Sequence, residues 1–268
     1  MSSGITSEKQ VARAGTLPPT LYIAVFTVSM AVLMMEIALT RVFSVSVWYH
    51  LAFMVISTAL LGFGASGTYL TLHPEWLKQD SERKLARFSA LMGLAIVVCF
   101  ALLTRVPLDP LAPLSGGISA AERTGRILML VIWLLVEYVL VVIPFFFAGL
   151  TLGGTFTALP RRINALYFVD LVGAGAGCLI VVGLMWLLPP QGVILMAAGL
   201  AFLGALFYLL SGPPTARYTG HRLAGAPLLA PVAALALFIA SPFAEGLLPL
   251  HIPDSKPLKR AYDDPTVD

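Results

Sequence analysis

Charged side chains are scarce in this 268-residue chain: Asp, Glu, Lys and Arg make up 12% of it, against roughly 25% in an ordinary soluble domain. Hydrophobic residues reach 58% and the mean hydropathy is +0.89, more apolar surface than a single core of this length encloses. A soluble enzyme or binding domain is excluded, and the chain reads as an all-α integral membrane protein. Cysteine is equally sparse. Cys99 and Cys178 are the two present; both lie in apolar stretches, so small buried hydrophobes are expected rather than a disulfide framework. Soluble catalytic and metal patterns are missing too: there is no H-E-x-x-H, no Walker lysine, no G-x-S-x-G and no metal-spaced Cys or His group. No catalytic residue, metal or cofactor is expected in this chain. The net charge of +3 rests on 17 basic residues scattered between apolar runs rather than forming a stripe, which argues against nucleic acid. The expected partner is the lipid bilayer.

What is present is a series of long apolar runs. A helix rising about 1.5 Å per residue needs about 20 such residues to cross a hydrocarbon core of roughly 30 Å. Runs at 21–43, 48–72, 85–105, 128–159, 163–188, 193–210 and 228–245 approach or meet that length. They predict a polytopic helical bundle of about seven transmembrane helices, six plus one uncertain, over residues 20–247. Polar tails flank it at 1–19 and 248–268. The first run is too long for a signal peptide and lacks a cleavage pattern, so it is expected to remain as an anchor. The fourth, over 30 residues and about 48 Å of helix, exceeds the core even when tilted; a break or kink is expected at Pro144. Ser119 and Glu122 ahead of it have capping-box spacing. The seventh is interrupted by Pro231 and Pro242 and ends at Glu245, so crossing, re-entry and an interfacial position all remain open.

Basic residues decide orientation, because cytoplasmic loops carry their excess. Lys9, Arg13, Lys78, Arg83, Lys84, Arg87, Arg161, Arg162, Arg217 and Arg222 fall on the side of the N-terminus, and only Arg105, Arg123 and Arg126 fall in the opposite loops. The N-terminus is expected in the cytoplasm, and seven crossings would leave the C-terminal tail outside.

Residues 62–67 read GFGASG, formally a dinucleotide fingerprint. That motif requires a strand before it and an accessible loop, whereas this one lies inside an apolar run. Gly62, Gly64 and Gly67, with Gly149, Gly153, Gly173 and Gly177, are therefore expected to let helices approach closely, within the chain, in a homo-oligomer or against other membrane subunits.

Ionisable residues inside spans are the better guide to function, since each costs about 2.5 kcal/mol or more at the bilayer centre unless paired or hydrated. Glu36, Arg41, His50, Glu137 and Asp170 form this set. Depth arithmetic puts Glu36, Arg41 and His50 within roughly 10 Å of the outer face, close enough to meet. Glu36 and Arg41 stand about 140° apart around their helix, so each is expected to pair with another helix rather than with the other, with His50 as a third member. Such a cluster reads equally as a polar binding pocket or proton site and as an ion network fixing the first hairpin. Glu137 lies near the midplane without an intrahelical partner, either functional or hydrogen-bonded to a neighbouring helix. Asp170 lies about 10 Å in from the opposite end of its helix, so pairing with Arg41 is disfavoured; a neighbouring helix end or Tyr167 is the expected partner.

Three separated motifs occur in order: EIALTRVFSVSVWYHLAFMVISTALLGFGASG at 36–67, PFFFAGL at 144–150 and YFVDLVGAGAGC at 167–178. Together they resemble the membrane portion of bacterial spermidine synthase-like proteins. The resemblance spans most of residues 20–250, and Glu36, Arg41, His50, Pro144, Asp170 and the glycines fall on its pattern. It implies a bacterial plasma membrane, a membrane anchor and an amine-binding region ahead of a polyamine aminopropyltransferase domain. The tail HIPDSKPLKRAYDDPTVD resembles only the lead-in to that domain, so this chain by itself is expected not to transfer an aminopropyl group. The intramembrane charges leave two other readings: a small-solute or proton-coupled transporter, and a non-catalytic subunit of a larger membrane complex.

Overall fold

The computed structural model describes residues 17–46, 49–77, 80–106, 119–212 and 226–250, and of residues 46, 49–52, 77 and 226–228 it describes the backbone alone. The tails at 1–16 and 251–268 therefore lie outside the described residues. Each long apolar run forms a helix: α1 Pro19–Ser46, α2 Tyr49–Leu72, α3 Ser81–Leu103, α4 Ala120–Ala158, α5 Ile163–Leu187, α6 Pro190–Ser211 and α7 Ala226–Ala240. A short α8, Ala244–Leu247, follows α7 across a 3-10 turn at Ser241–Phe243. Among the described residues seven helical stretches are long and apolar enough to cross a membrane, the last running Leu229–Leu247. The chain is a multi-pass membrane protein. Pro231 sits inside α7 and Pro242 inside the 3-10 turn.

Local chemistry sets the helix ends. The Ser119 side chain accepts a hydrogen bond from the Glu122 backbone N–H at 3.2 Å, which caps α4 as the spacing anticipates. Pro190 opens α6, where its missing N–H is no loss. Pro144 does not break α4, which continues as one helix to Ala158. The helix tolerates the lost backbone donor because the bonds on either side persist and the ring is buried among neighbouring helices. Several hydroxyls inside the spans are satisfied within their own helices, as hydrocarbon favours. Thr27 donates to the Ile23 carbonyl at 2.6 Å, Thr58 to Val55 at 2.7 Å and Ser66 to Phe63 at 2.7 Å.

Helices α1, α6, α3, α4 and α2 close a ring in that order, each packed on the next, with α5 outside against α1 and α7 outside against α6. Met35, Leu39, Ile96, Phe100, Val141 and Ile194 fill the ring, leaving a cavity of about 10 Å³, room for one water at most. Close contacts fix the directions. Gly62 meets Phe145, Gly149 meets Ser66 and Gly153 meets Leu70, so α2 and α4 run the same way. Gly173 meets Phe26 and Gly177 meets Met30, so α1 and α5 also run together. Ser89 bonds the Ala201 carbonyl while Gly93 meets Ala198, which sets α3 against α6. Alternate crossings of the membrane require these directions.

Gly173 and Gly177 are needed where they stand. A Cβ at Gly173 would lie 2.5 Å from the Phe26 carbonyl oxygen, and one at Gly177 would lie 2.7 Å from that of Met30. GFGASG is part of α2, not a loop, and its glycines differ. A Cβ at Gly62 would lie 2.7 Å from the Phe145 Cβ, whereas Gly64 and Gly67 have nothing within 4 Å. Those two meet no other helix among the described residues, because they project from the face of α2 turned away from α4.

Candidate functional site

Outside the ring, α1, α2, α4 and α5 bound a cavity of about 390 Å³. Its walls are apolar: Val32 and Leu33 from α1, Ile56, Ala59, Leu60 and Phe63 from α2, Leu152 and Phe156 from α4, and Ala174 from α5. Three polar side chains enter it: Ser29, Glu36 and Asp170. Ser29 and Glu36 are seven residues apart on α1, two turns on one face and about 10 Å along the axis. Asp170 is held from across the gap, its Oδ1 accepting a hydrogen bond from Ser29 Oγ. The close approach of α5 to α1 at Gly173 and Gly177 makes that bond possible. Among the described residues no Lys, Arg or His lines this cavity.

Glu36 and Asp170 therefore share a site that was expected to be two. As the separation of about 140° anticipates, no ion pair joins Glu36 and Arg41 among the described residues, and Arg41 is exposed. Five residues turn a helix by about 500°, which leaves the two side chains about 140° apart, and it is Glu36 that faces α2 and α5. The His50 side chain lies outside the described residues. Asp170 bonds Ser29 on α1, neither a helix end nor Tyr167; Tyr167 is 54% exposed and points away from the bundle.

Beside this cavity lies a second polar pair. Thr155 on α4 and the fully buried Tyr208 on α6 are joined at 2.8 Å between Oγ1 and Oη. The single Thr155 proton goes to the Thr151 carbonyl at 2.7 Å, so the Tyr208 hydroxyl is the donor of the pair. Neither Ser29 nor this pair was singled out from sequence. The available signal was the seven-residue spacing of Ser29 and Glu36, which marks one stripe of a helix.

Glu137 stands apart. It is 2% exposed, and its Oε2 has no hydrogen-bond partner among the described residues. It lies on α4 one turn before Leu140 and Val141, which line the small cavity inside the ring, so it belongs to the core and not to the carboxylate-lined cavity. Among the described residues no group of three or more His, Cys, Asp or Glu is placed to hold a metal ion. No protein-family model, no curated protein and no solved structure matches this chain.

Proposed function

We propose that the chain is the multi-span domain of a spermidine synthase-like membrane protein, anchoring it in a bacterial plasma membrane with the N-terminus in the cytoplasm and binding an organic cation of the amine class. The observation behind the binding reading is the cavity itself: two carboxylates, one hydroxyl and, among the described residues, no basic side chain inside apolar walls. Carboxylates at membrane depth without a protein counter-ion call for a cation or a proton. A primary ammonium adds what a bare metal ion does not, an alkyl body that suits walls of Leu, Ile and Phe.

Titration of the purified full chain with hexylamine and with hexanol tests this reading. Hexylamine is expected to bind, with affinity reduced at least about tenfold by Glu36→Gln or Asp170→Asn, and hexanol is expected not to bind. Equal binding of amine and alcohol, or binding indifferent to both substitutions, would contradict it.

A second reading, a subunit of a larger membrane assembly, is favoured by one observation: Gly64 and Gly67 leave a face of α2 open. Such a face admits a close-packed helix from another chain. A single-chain mass for the complex extracted gently from its own membrane would exclude it.

A further inference from the structure

The carboxylate-lined cavity is open along the side of the bundle. Its two outer walls, α2 and α5, are not packed against each other, and two of the four α2 residues lining it are exposed, Leu60 at 71% and Ile56 at 46%. Leu60 and Asp170 lie well inside their spans, 53–72 and 160–187. An opening at that depth faces acyl chains, not water. A water-soluble diamine would have to leave its hydration shell and cross hydrocarbon to enter there, at a cost its two charges make large. An amphiphile already dissolved in the bilayer loses little by moving sideways.

We propose that the cavity's ligand is an amphiphilic primary amine taken from the bilayer, its ammonium held between Glu36 and the Ser29–Asp170 pair and its alkyl chain leaving between α2 and α5 past Leu60. This rests on the amine reading above and narrows it to a membrane-dissolved substrate class. Charge complementarity chooses the head group: anionic phospholipid heads would meet two carboxylates and are rejected. The exposed Leu60 and Ile56 flank the path of the chain, where each buried methylene adds to affinity.

The test uses the full chain in nanodiscs of uncharged lipid, with octylamine, octanol and putrescine as probes. Leu60→Trp narrows the lateral opening while leaving both carboxylates in place. Octylamine is expected to bind at least about tenfold more tightly than putrescine, to lose at least about tenfold with Leu60→Trp, and to be displaced by no amount of octanol. Putrescine binding as tightly as octylamine, still dependent on Glu36 and Asp170, would overturn the lateral route and leave the amine reading standing. Unchanged octylamine affinity in Leu60→Trp would also overturn the route, whereas failure of every amine to bind would overturn both. Glu36→Gln and Asp170→Asn chains that elute as the native species keep a loss of binding distinct from a loss of fold.

Discussion

Single side chains decide how the site is built. Ser29 holds Asp170 across the α1–α5 contact, so Ser29→Ala leaves that carboxyl with one partner fewer. Interhelical hydrogen bonds in membranes contribute about 0.6–1.7 kcal/mol, and thermal unfolding in detergent is expected to show a destabilisation of that size, with weaker amine binding alongside. An unchanged melting temperature and affinity would remove Ser29 from the site. Glu137 makes the opposite case. With an unpartnered oxygen in the core, an ionised carboxylate there would have no compensating charge. Glu137→Gln, a neutral isostere, is expected to stay within about 0.5 kcal/mol of the native stability, and Glu137→Lys to cost more than about 3 kcal/mol. A large loss in the glutamine variant would show that Glu137 is needed as an acid.

At the scale of elements, α5 depends on two glycines. Because backbone meets backbone at Gly173 and Gly177, Gly173→Leu must push α5 off α1; overpacking of this kind costs about 1–3 kcal/mol. The same substitution separates Asp170 from Ser29, so amine affinity should fall with stability. Gly64→Leu, at a position with open space, is expected to change neither within the single chain. The helices themselves were legible, because a run of about 20 apolar residues has one physical reading in lipid. Pro144 shows where that ruler ends. Length and the proline left a break and a kink both open, and the helix runs on without a break because a proline stays inside a helix when its ring is enclosed. The glycines were half legible, since small residues permit a close approach without saying which face the partner takes: Gly62 found one within the chain and Gly64 did not. That Glu36 looks to another helix rather than to Arg41 was legible from their separation of about 140°, but which helix it faces was not. Shared depth along one helix does not bring side chains together when the helix points them in different directions, and what faces Glu36 depends on α5, more than 120 residues later.

For the whole molecule, the ring of five helices is filled and a cavity of about 390 Å³ lies at its side, so the architecture favours a binding site reached from the bilayer over a central passage. The directions of α1, α2, α4 and α5 agree with alternate crossings, which makes topology a sharp test. Reporter fusions after Gly212 and after Ala158 are expected to act as cytoplasmic, and one after Val106 as external, from the distribution of basic residues. The reverse pattern would invert the orientation without altering the bundle.

The most direct test of the central claim is carbodiimide coupling of bound octylamine to the full chain in nanodiscs, read by peptide mass spectrometry. The carbodiimide activates a carboxyl and is released as its urea when the amine displaces it, so an amide marks the carboxyl beside which the amine rests. The expected result is an amide on Glu36 or Asp170 at amine concentrations that leave Glu75 and Glu122, outside the cavity, and Glu137, in the core, unmodified. Amides on Glu75 and Glu122 with Glu36 and Asp170 untouched would contradict it.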